Sequence, residues 1–559
     1  SGVHSFIGGG NSNNASQCQA TIGGGSGNLA SQCWATIGGG YGNTASHCDA
    51  TVGGGNQNEA SGLQSTVGGG YCNIATGLSS FIGGGVENKI TSAGCAGVIG
   101  GGESNHVCSR WGVIGGGRKN TIASNACFGT IGGGDTNYVL NPYGTVGGGS
   151  ANYACENHAV VSGGYDNCAG DCCSTVAGGE SNAARECYAM VGGGGGNTAE
   201  AIHSSILAGK SNTANAQFAS IVGGCINVAS GIFSTIGGGE DNTASGRGSF
   251  VGGGGSNVAS GLSSFVGGGT LNRDGGYCYS VIGGGVGNLI GADNGFIGGG
   301  CCNCAGTTDI GPHSVVAGGH CNYAYGVCSF IGSGYRNDAS GSCGVVVGGG
   351  GNENGGPGGF IGGGYNNCVS CSFGTLVGGC NSTACGEYSF VGGGLCNVAE
   401  GEYSSIAGGC CNEAQGCYSV ATGGKNCACG PYSSVLGGLA NTTCTACSVV
   451  VGGWQNRVDA GVLSLVGGGC GNRVSEAYSA ITGGRGNCTL AQHSFIGTGQ
   501  NNCILACHSS ASIFGSEITS LSGNMLHAAL LSLSGIPTID PGVVGVVWRS
   551  GTDLKISTG

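Results

Sequence analysis

Residues 65–79 read STVGGGYCNIATGLS, and this fifteen-residue phrase recurs with variations along most of the chain. We number its positions from 1, at Ser65, to 15, at Ser79. Position 3 is nearly always Ile or Val, positions 4 to 6 are usually Gly, position 9 is nearly always Asn and position 11 is usually Ala. Self-similarity at a fixed short period indicates a repeat architecture.

The residue at position 3 marks the register of the repeat. Steps of fifteen residues dominate, steps of seventeen follow Ile82 and Ile114, and a step of nineteen separates Ile297 from Val316. That longest step contains GTTDIGPHS, residues 306–314, for which we expect a surface loop. The count is about thirty-three repeats. The residues that set the register are Ile7, Ile22, Ile37, Val52, Val67, Ile82, Ile99, Ile114, Ile131, Val146, Val161, Val176, Val191, Ile206, Ile221, Ile236, Val251, Val266, Ile297, Val316, Ile331, Val391, Ile406, Val466, Ile481 and Ile496.

Composition limits the fold to strands and turns. The 559 residues include 133 Gly and six Pro, and 8% are charged. Gly without a Gly-X-Y period excludes collagen, and its low helix propensity, with no 3.6-residue apolar period, argues against helices.

Each repeat predicts two short strands joined by bends. The segment ending at position 3 places Ile or Val on one side, and N-x-A at positions 9 to 11 places Ala inward. Glycines form the bends because they reach positive φ without a Cβ clash. Stacking of each coil on the next, about 4.8 Å apart, predicts an all-β, parallel β-solenoid over residues 1–500, a rod on the order of 160 Å long.

Asparagine at position 9 recurs directly above itself in such a stack. We expect these residues to form a structural ladder of hydrogen bonds along the solenoid, as in cross-β assemblies. The clearest unbroken run is Asn28, Asn43, Asn58, Asn73 and Asn88.

The core of each coil is thin, since it holds one Ile or Val and one Ala. The Gly face allows close approach of another backbone. We therefore expect partner chains, with a homotrimer about a three-fold axis as the favoured assembly.

The repeat resembles the head repeats of trimeric autotransporter adhesins, the YadA-like β-rolls. The phrases STIGGGEDNTASG (residues 234–246) and SFVGGGGSNVASG (residues 249–261) carry this similarity, which covers roughly residues 1 to 500. The extra glycines, the many cysteines and the lack of a coiled-coil stalk and membrane anchor depart from that family. The resemblance implies an obligate trimeric fibre.

The repeat degrades after Ile496. Residues 501–535 are predicted to be degenerate last coils or a capping segment, and residues 536–559 a β-hairpin. Its strands are expected at 543–549 and 553–557, with Ser550, Gly551 and Thr552 in the turn. The ending IPTIDPGVVGVVWRSGTDLKISTG is similar to the C-termini of phage and other viral structural and fibre proteins, which implies a virion fibre.

Thirty-six cysteines accompany the repeat. Cys18, Cys33 and Cys48 are each fifteen residues apart, so they are expected to stack in a column with a Cα spacing suited to disulfides or a thiol row. Two interpretations stay open, namely disulfides between coils or chains in an oxidising setting, and small buried thiols.

Neither a metal site nor a catalytic site is predicted. The cysteines come mainly as scattered C-x-C and C-C units, such as Cys302/Cys304 and Cys427/Cys429, and not as C-x2-C units paired at a fixed separation. The ten histidines are scattered over different coils, and no βαβ unit surrounds the Gly-x-Gly strings. We expect no enzyme activity and no cofactor.

Partners are limited by charge and hydropathy. The net charge of −12 without a basic run argues against nucleic acid, and no apolar stretch is long enough for membrane insertion.

Large aromatic residues recur at positions 7, 8, 14 and 15. They either bind a host-surface glycan or receptor or fill grooves between chains. They are Trp34, Tyr41, Tyr71, Trp111, Tyr143, Tyr165, Phe218, Phe233, Tyr335, Tyr365, Tyr388, Tyr403, Tyr418, Trp454 and Tyr478.

The favoured function is a structural fibre on a virion surface, in contact with other virion proteins and contributing to host attachment. One alternative is a bacterial extracellular adhesin or filament subunit at the cell surface. The other is an ice-binding β-solenoid, since the half-repeats resemble grass antifreeze proteins. The mixed residues at position 2 spoil the regular Thr array that ice binding needs.

Overall fold

The protein is a parallel β-solenoid in a computed structural model that describes residues 2–307, 311–528, 547–550 and 553–556, the last two ranges by their backbone alone. The described residues contain no helix, so the predicted fold class is confirmed. The chain divides into two units, Ser1–Cys321 and Asn322–Gly559, which together hold about 35 turns. Within the insertion at 306–314, residues 308–310 lie outside the described part.

Two short strands per coil form two parallel ladders. One strand occupies positions 2 and 3, as in Thr21–Ile22, and every position-3 residue named above ends such a strand. The other occupies positions 10 and 11, as in Leu29–Ala30. Pairing is in register, with Thr21 opposite Thr36 and Ile22 opposite Ile37. The elements that depart from this two-residue rule or from these positions are Gly409–Cys410, Gly423–Gly424, Ser512–Phe514, Leu526–Ala528, Val547–Ser550 and Asp553–Ile556.

A third ladder, which the sequence pattern does not predict, runs along position 7. Isolated parallel bridges join Asn11 to Ser26, Ser26 to Tyr41, and so on at the same position of successive coils. The residue before it is Gly, whose carbonyl accepts the position-7 N–H of the preceding coil, as in Ser26 N–H to Gly40 O at 2.9 Å. Each coil is therefore held to the next along three lines.

The core is a set of small columns. Ile22 and Ile37 at position 3 and Ala30 and Ala45 at position 11 are fully buried, whereas their strand partners at positions 2 and 10 point outward. Ala or Ser at position 1 completes the interior, as at Ala35. The alternation follows from the two-residue period of a strand.

The asparagines of position 9 fasten each coil to both neighbours. In the predicted run, the backbone N–H of Asn43 donates to Oδ1 of Asn28 at 2.9 Å, and the same contact continues through Asn58, Asn73 and Asn88 at 2.9 to 3.0 Å. The side-chain Nδ2 of Asn43 donates to Gly39 O in its own coil and to Gly55 O in the next, both at 2.9 Å. The asparagine side chains therefore bind the backbone of their own coil and of both neighbouring coils, and we call this set of hydrogen bonds the clamp.

Replacement of Asn120 by Ala tests this clamp. The change leaves Gly116 O and the Asn137 N–H without their partner and removes one of the two donors to Gly134 O, which keeps the Arg118 N–H. Because buried unpaired groups cost about 1–3 kcal/mol each, we expect the free energy of unfolding to fall by about 3 kcal/mol or more. Denaturant unfolding and hydrogen exchange at Asn137 measure the loss.

Asn120→Ser is the matched control. Ser382 occupies position 9 naturally, and its Oγ accepts the Asn397 N–H at 3.2 Å. The Ser variant should lose about half as much stability as the Ala variant. An Ala variant as stable as the parent chain would contradict the clamp.

The three glycines of the triplet have different roles. At position 6, φ lies between +83° and +114° from Gly10 to Gly499, outside the left-handed region open to other residues. A Cβ on Gly134 would also lie 2.0 Å from Gly149 O, whereas a Cβ on Gly133, at position 5, would meet nothing closer than 3.9 Å. Positions 4 and 5 do accept side chains in other coils, as at Leu207 and Ala208, but position 6 is always Gly.

Gly134→Ala should therefore destabilise the protein, by about 3 kcal/mol or more, because both φ and the contact with Gly149 are incompatible with a side chain. Gly133→Ala in the same triplet should change stability by no more than about 0.5 kcal/mol. Thermal and denaturant unfolding of the two variants compare them directly. Equal losses would show that the triplet is needed only for flexibility.

The C-terminal strands form an antiparallel pair. Val547–Ser550 pairs with Asp553–Ile556, with Val547 opposite Ile556. Ser550, placed in the turn by the sequence analysis, is the last residue of its strand and pairs with Asp553, so that part of the prediction is wrong. The predicted strand ends at 543–546 and 557, and the turn residues 551–552, lie outside the described residues.

Candidate functional site: an exposed aromatic column

The backbone at position 15 turns the side chain out of the coil wherever the residue is not glycine. Tyr143 and Tyr403 have φ of +60° and +55°, and non-glycine residues at positions 8 and 15 throughout lie between +51° and +62°. This range falls in the left-handed region that L-residues can occupy, at a cost of about 1–2 kcal/mol. Sequence reasoning missed this feature, although Gly248 and Gly358 at the same position were a signal of it.

The left-handed turn reverses one hydrogen bond. Strand N–H groups donate to the following coil, as in Thr21 N–H to Ala35 O at 2.8 Å. At position 15 the N–H donates to the preceding coil instead, as in Tyr403 N–H to Glu387 O at 2.9 Å. This bond satisfies the backbone donor and offsets part of the conformational cost.

Aromatic rings at position 15 stack on one another in successive coils. Centroids are 4.6 to 5.1 Å apart and ring planes lie within 11° of parallel. Four runs occur in the described residues, and we call them together the aromatic column. Their members are Trp111, Phe128, Tyr143 and His158; Tyr188, His203, Phe218 and Phe233; Phe373, Tyr388, Tyr403, Tyr418 and Tyr432; and Tyr478 with His493.

The column shows ring edges and hydroxyls to solvent. Tyr388, Tyr403 and Tyr418 are 41 to 47% exposed, yet both faces of Tyr403 are covered by its neighbours. Desolvation, followed by the neighbouring tyrosines, raises the pKa of Tyr403, so its hydroxyl stays a hydrogen-bond donor at neutral pH. Since ring edges carry partial positive charge, the column suits oxygen-rich ligands that approach from the side.

The aromatic residues named from sequence fall into two groups, one at position 15 and one at position 7. Tyr41, Tyr71, Tyr165, Tyr365 and Trp454 lie at position 7, on the third ladder, where no ring stack joins them in the described residues.

Trp34 lies at position 15, beside Gln19 and Asp49 in the neighbouring coils, and stands outside the stacked runs. The structure also brings into the column residues that the sequence analysis did not connect, among them His158, His203 and His493, which it had treated as scattered.

The predicted cysteine column is present as a row but not as bonds. Cys18, Cys33 and Cys48 lie at position 14, partly exposed, and no thiol–thiol hydrogen bond joins them. No disulfide joins any two cysteines in the part of the chain that the structure describes.

Comparison with known proteins adds no assignment to this geometry. No protein-family model matches the chain, and no curated protein matches it. In the described residues, no group of three or more His, Cys, Asp and Glu side chains is arranged to hold a metal ion. The same residues include no helix with the length and apolarity of a membrane span.

Tyr403→Ala tests whether the column stabilises the fold. The change removes two ring stacks, at 4.9 and 4.8 Å, each worth about 0.5–1.5 kcal/mol, so we expect the free energy of unfolding to fall by about 1–3 kcal/mol. Tyr365→Ala, a more exposed tyrosine of position 7, is the matched control, with an expected loss under about 0.5 kcal/mol. Equal losses in urea unfolding would mean that stacking contributes nothing.

Proposed function

We propose that this protein is a structural fibre of a virion surface that contributes to host attachment. The observation that carries the proposal is the separation of roles within each coil. Positions 1, 3, 9 and 11 are buried and repeat closely, whereas positions 2, 7, 10 and 15 point outward in continuous columns. Such a stack places the same kind of side chain at regular steps along a surface, which suits multivalent binding. The virion is proposed from the similarity of the C-terminal sequence to viral fibre proteins.

A homotrimer is proposed for the assembly. An apolar stripe at position 2 of the first unit comprises Phe250, Phe265, Val281, Phe296 and Val315 in successive coils. Phe265 and Phe296 are 39 and 40% exposed, and the rings of Phe250 and Phe265 stack at 5.2 Å. Contiguous exposed apolar area of this kind is typical of an interface. The resemblance to trimeric adhesin heads favours other copies of the chain as its partner.

The aromatic column is proposed as the attachment surface. Its tyrosine hydroxyls and ring edges repeat about every 5 Å in the second unit, from Phe373 to Tyr432. A host-surface glycan or an acidic receptor segment supplies the oxygen acceptors that these groups bind. Other virion proteins would anchor the fibre. A bacterial extracellular adhesin would use the same assembly and surface, and it remains the alternative.

Native mass by light scattering tests the trimer. The parent chain should show three times the 53.6 kDa chain mass, with and without reductant. A charge in the apolar stripe, Phe265→Glu, should lower the mass toward one chain because an unpaired carboxylate would be buried. Thr243→Glu at position 10, on the other outward face, should leave it unchanged. A single chain mass for the parent protein would refute the trimer.

A glycan array tests attachment, and immunogold labelling tests location. The parent chain should bind a subset of glycans, and Tyr388→Ala with Tyr403→Ala should reduce binding at least ten-fold, whereas Tyr365→Ala should not. Antibodies against the chain should label the surface of virus particles from the source organism. Labelling of bacterial cells instead would favour the adhesin, and binding unaffected by the double change would place the ligand elsewhere.

A further inference from the structure

Two cysteines of successive coils meet beside the ladder of positions 10 and 11. Cys168 lies at position 10, directly opposite Tyr153, and Cys155 lies two residues after Tyr153. The two Sγ atoms are 3.7 Å apart. The Cys155 N–H donates to Ala169 O at 2.8 Å, which fixes the backbone of one coil against the other. Gly170 occupies the same repeat position as Cys155 in the next coil. Because Gly170 has no side chain, the Cys155 thiol has room to turn toward Cys168.

Three other close thiol pairs lie within single coils. Sulfur atoms approach within 3.1 to 3.6 Å in Cys172–Cys173, Cys301–Cys302 and Cys410–Cys411, which are neighbours in sequence. Consecutive Cα atoms are about 3.8 Å apart, below the usual range of about 4.4–6.8 Å for a disulfide. Such pairs also join nothing but their own coil. Oxidation of Cys155 and Cys168 would instead connect two coils. Thiols of successive coils also hydrogen-bond in Cys302–Cys321, Cys396–Cys411, Cys429–Cys444 and Cys488–Cys503.

The two thiols are electrostatically unequal. A hydrogen bond from the Cys155 thiol lowers the pKa of Cys168 to about 7, against the opposing effect of burial, and the positive charge of Arg185 adds to the lowering. The same hydrogen bond and burial raise the pKa of Cys155. At neutral pH Cys168 is thus the thiolate and the nucleophile of the pair.

We propose that Cys155 and Cys168 form an oxidation-dependent disulfide that links two successive coils, with hydrogen peroxide as the oxidant. The Cys168 thiolate attacks one peroxide oxygen, the O–O bond breaks, and the departing hydroxide takes a proton to become water. The product is a sulfenic acid on Cys168. The sulfur of Cys155 then attacks the Cys168 sulfur and gives up its proton, and the S–O bond breaks to release a second water. The two thiols together lose two electrons, and these electrons reduce the peroxide to water.

Peptide mapping of the full chain tests the link. The protein is treated with one equivalent of hydrogen peroxide at pH 7, blocked with iodoacetamide and cleaved after glutamate. Because Glu156 lies between the two cysteines, a disulfide joins peptides 104–156 and 157–180, with a mass two hydrogens below their sum. The joined pair should be the main oxidised product. Recovery of both thiols alkylated, or of a Cys172–Cys173 disulfide in place of the joined peptides, would overturn the proposal.

The alkylation rate of Cys168 and two cysteine variants distinguish a specific reaction of this pair from general oxidation of the thiols. From its thiolate fraction and reduced nucleophilicity, Cys168 should react with iodoacetamide about three-fold faster than an unstructured cysteine at pH 7. Cys155→Ser should abolish the joined peptide and leave sulfenic acid on Cys168, and Cys172→Ser, a nearby control, should leave the joined peptide unchanged. Equal reactivity of Cys168 and the unstructured thiol, with the joined peptide lost in both variants, would contradict the assignment.

Discussion

The backbone hydrogen bonds between successive coils are the constraint on which the rest of the structure depends. They set a rise of about 4.8 Å and require every coil to lie in register over the one before. Once that holds, each position of the repeat becomes a column, whether of Ile22 over Ile37, of glycine, or of tyrosine. A coil that lost register would misplace all fifteen of its columns at once, which is why insertions occur only at bends.

Two backbone conformations let a coil of this size close while its hydrogen bonds stay paired. Position 6 adopts φ near +94° at Gly134, which no other residue tolerates. Positions 8 and 15 adopt φ near +56°, which other residues do tolerate, and direct an N–H backward to the preceding coil. The first explains why one glycine of the triplet is invariant along the chain. The second explains how tryptophan, tyrosine and histidine come to occupy left-handed turns.

A thin apolar core is supplemented by buried polar clamps. A coil buries one aliphatic side chain at position 3 and one apolar residue, most often Ala, at position 11. A buried asparagine such as Asn120 makes hydrogen bonds to the coil before it, its own coil and the coil after it. Stability is therefore a sum of nearest-neighbour terms, as expected for a solenoid. The outward positions do not contribute to this core. The register of the coils brings their side chains together, both in the aromatic column and in the contact of Cys155 with Cys168.

The sequence by itself determined the parallel β-solenoid, the strands that end at residues such as Ile22 and Val67, and the stacking of Asn28 to Asn88, because these follow from period, burial pattern and residue type. Only the tertiary structure decided which atoms meet. The third ladder at position 7, the binding of Asn43 Nδ2 to the Gly39 and Gly55 carbonyls, and the inclusion of His203 in a ring stack depend on where the chain turns. Left-handed residues at position 15 have no compositional signature when the side chain is Tyr or Phe. Their outward direction is set by the hydrogen bond to the coil below, which exists only after the coils have stacked.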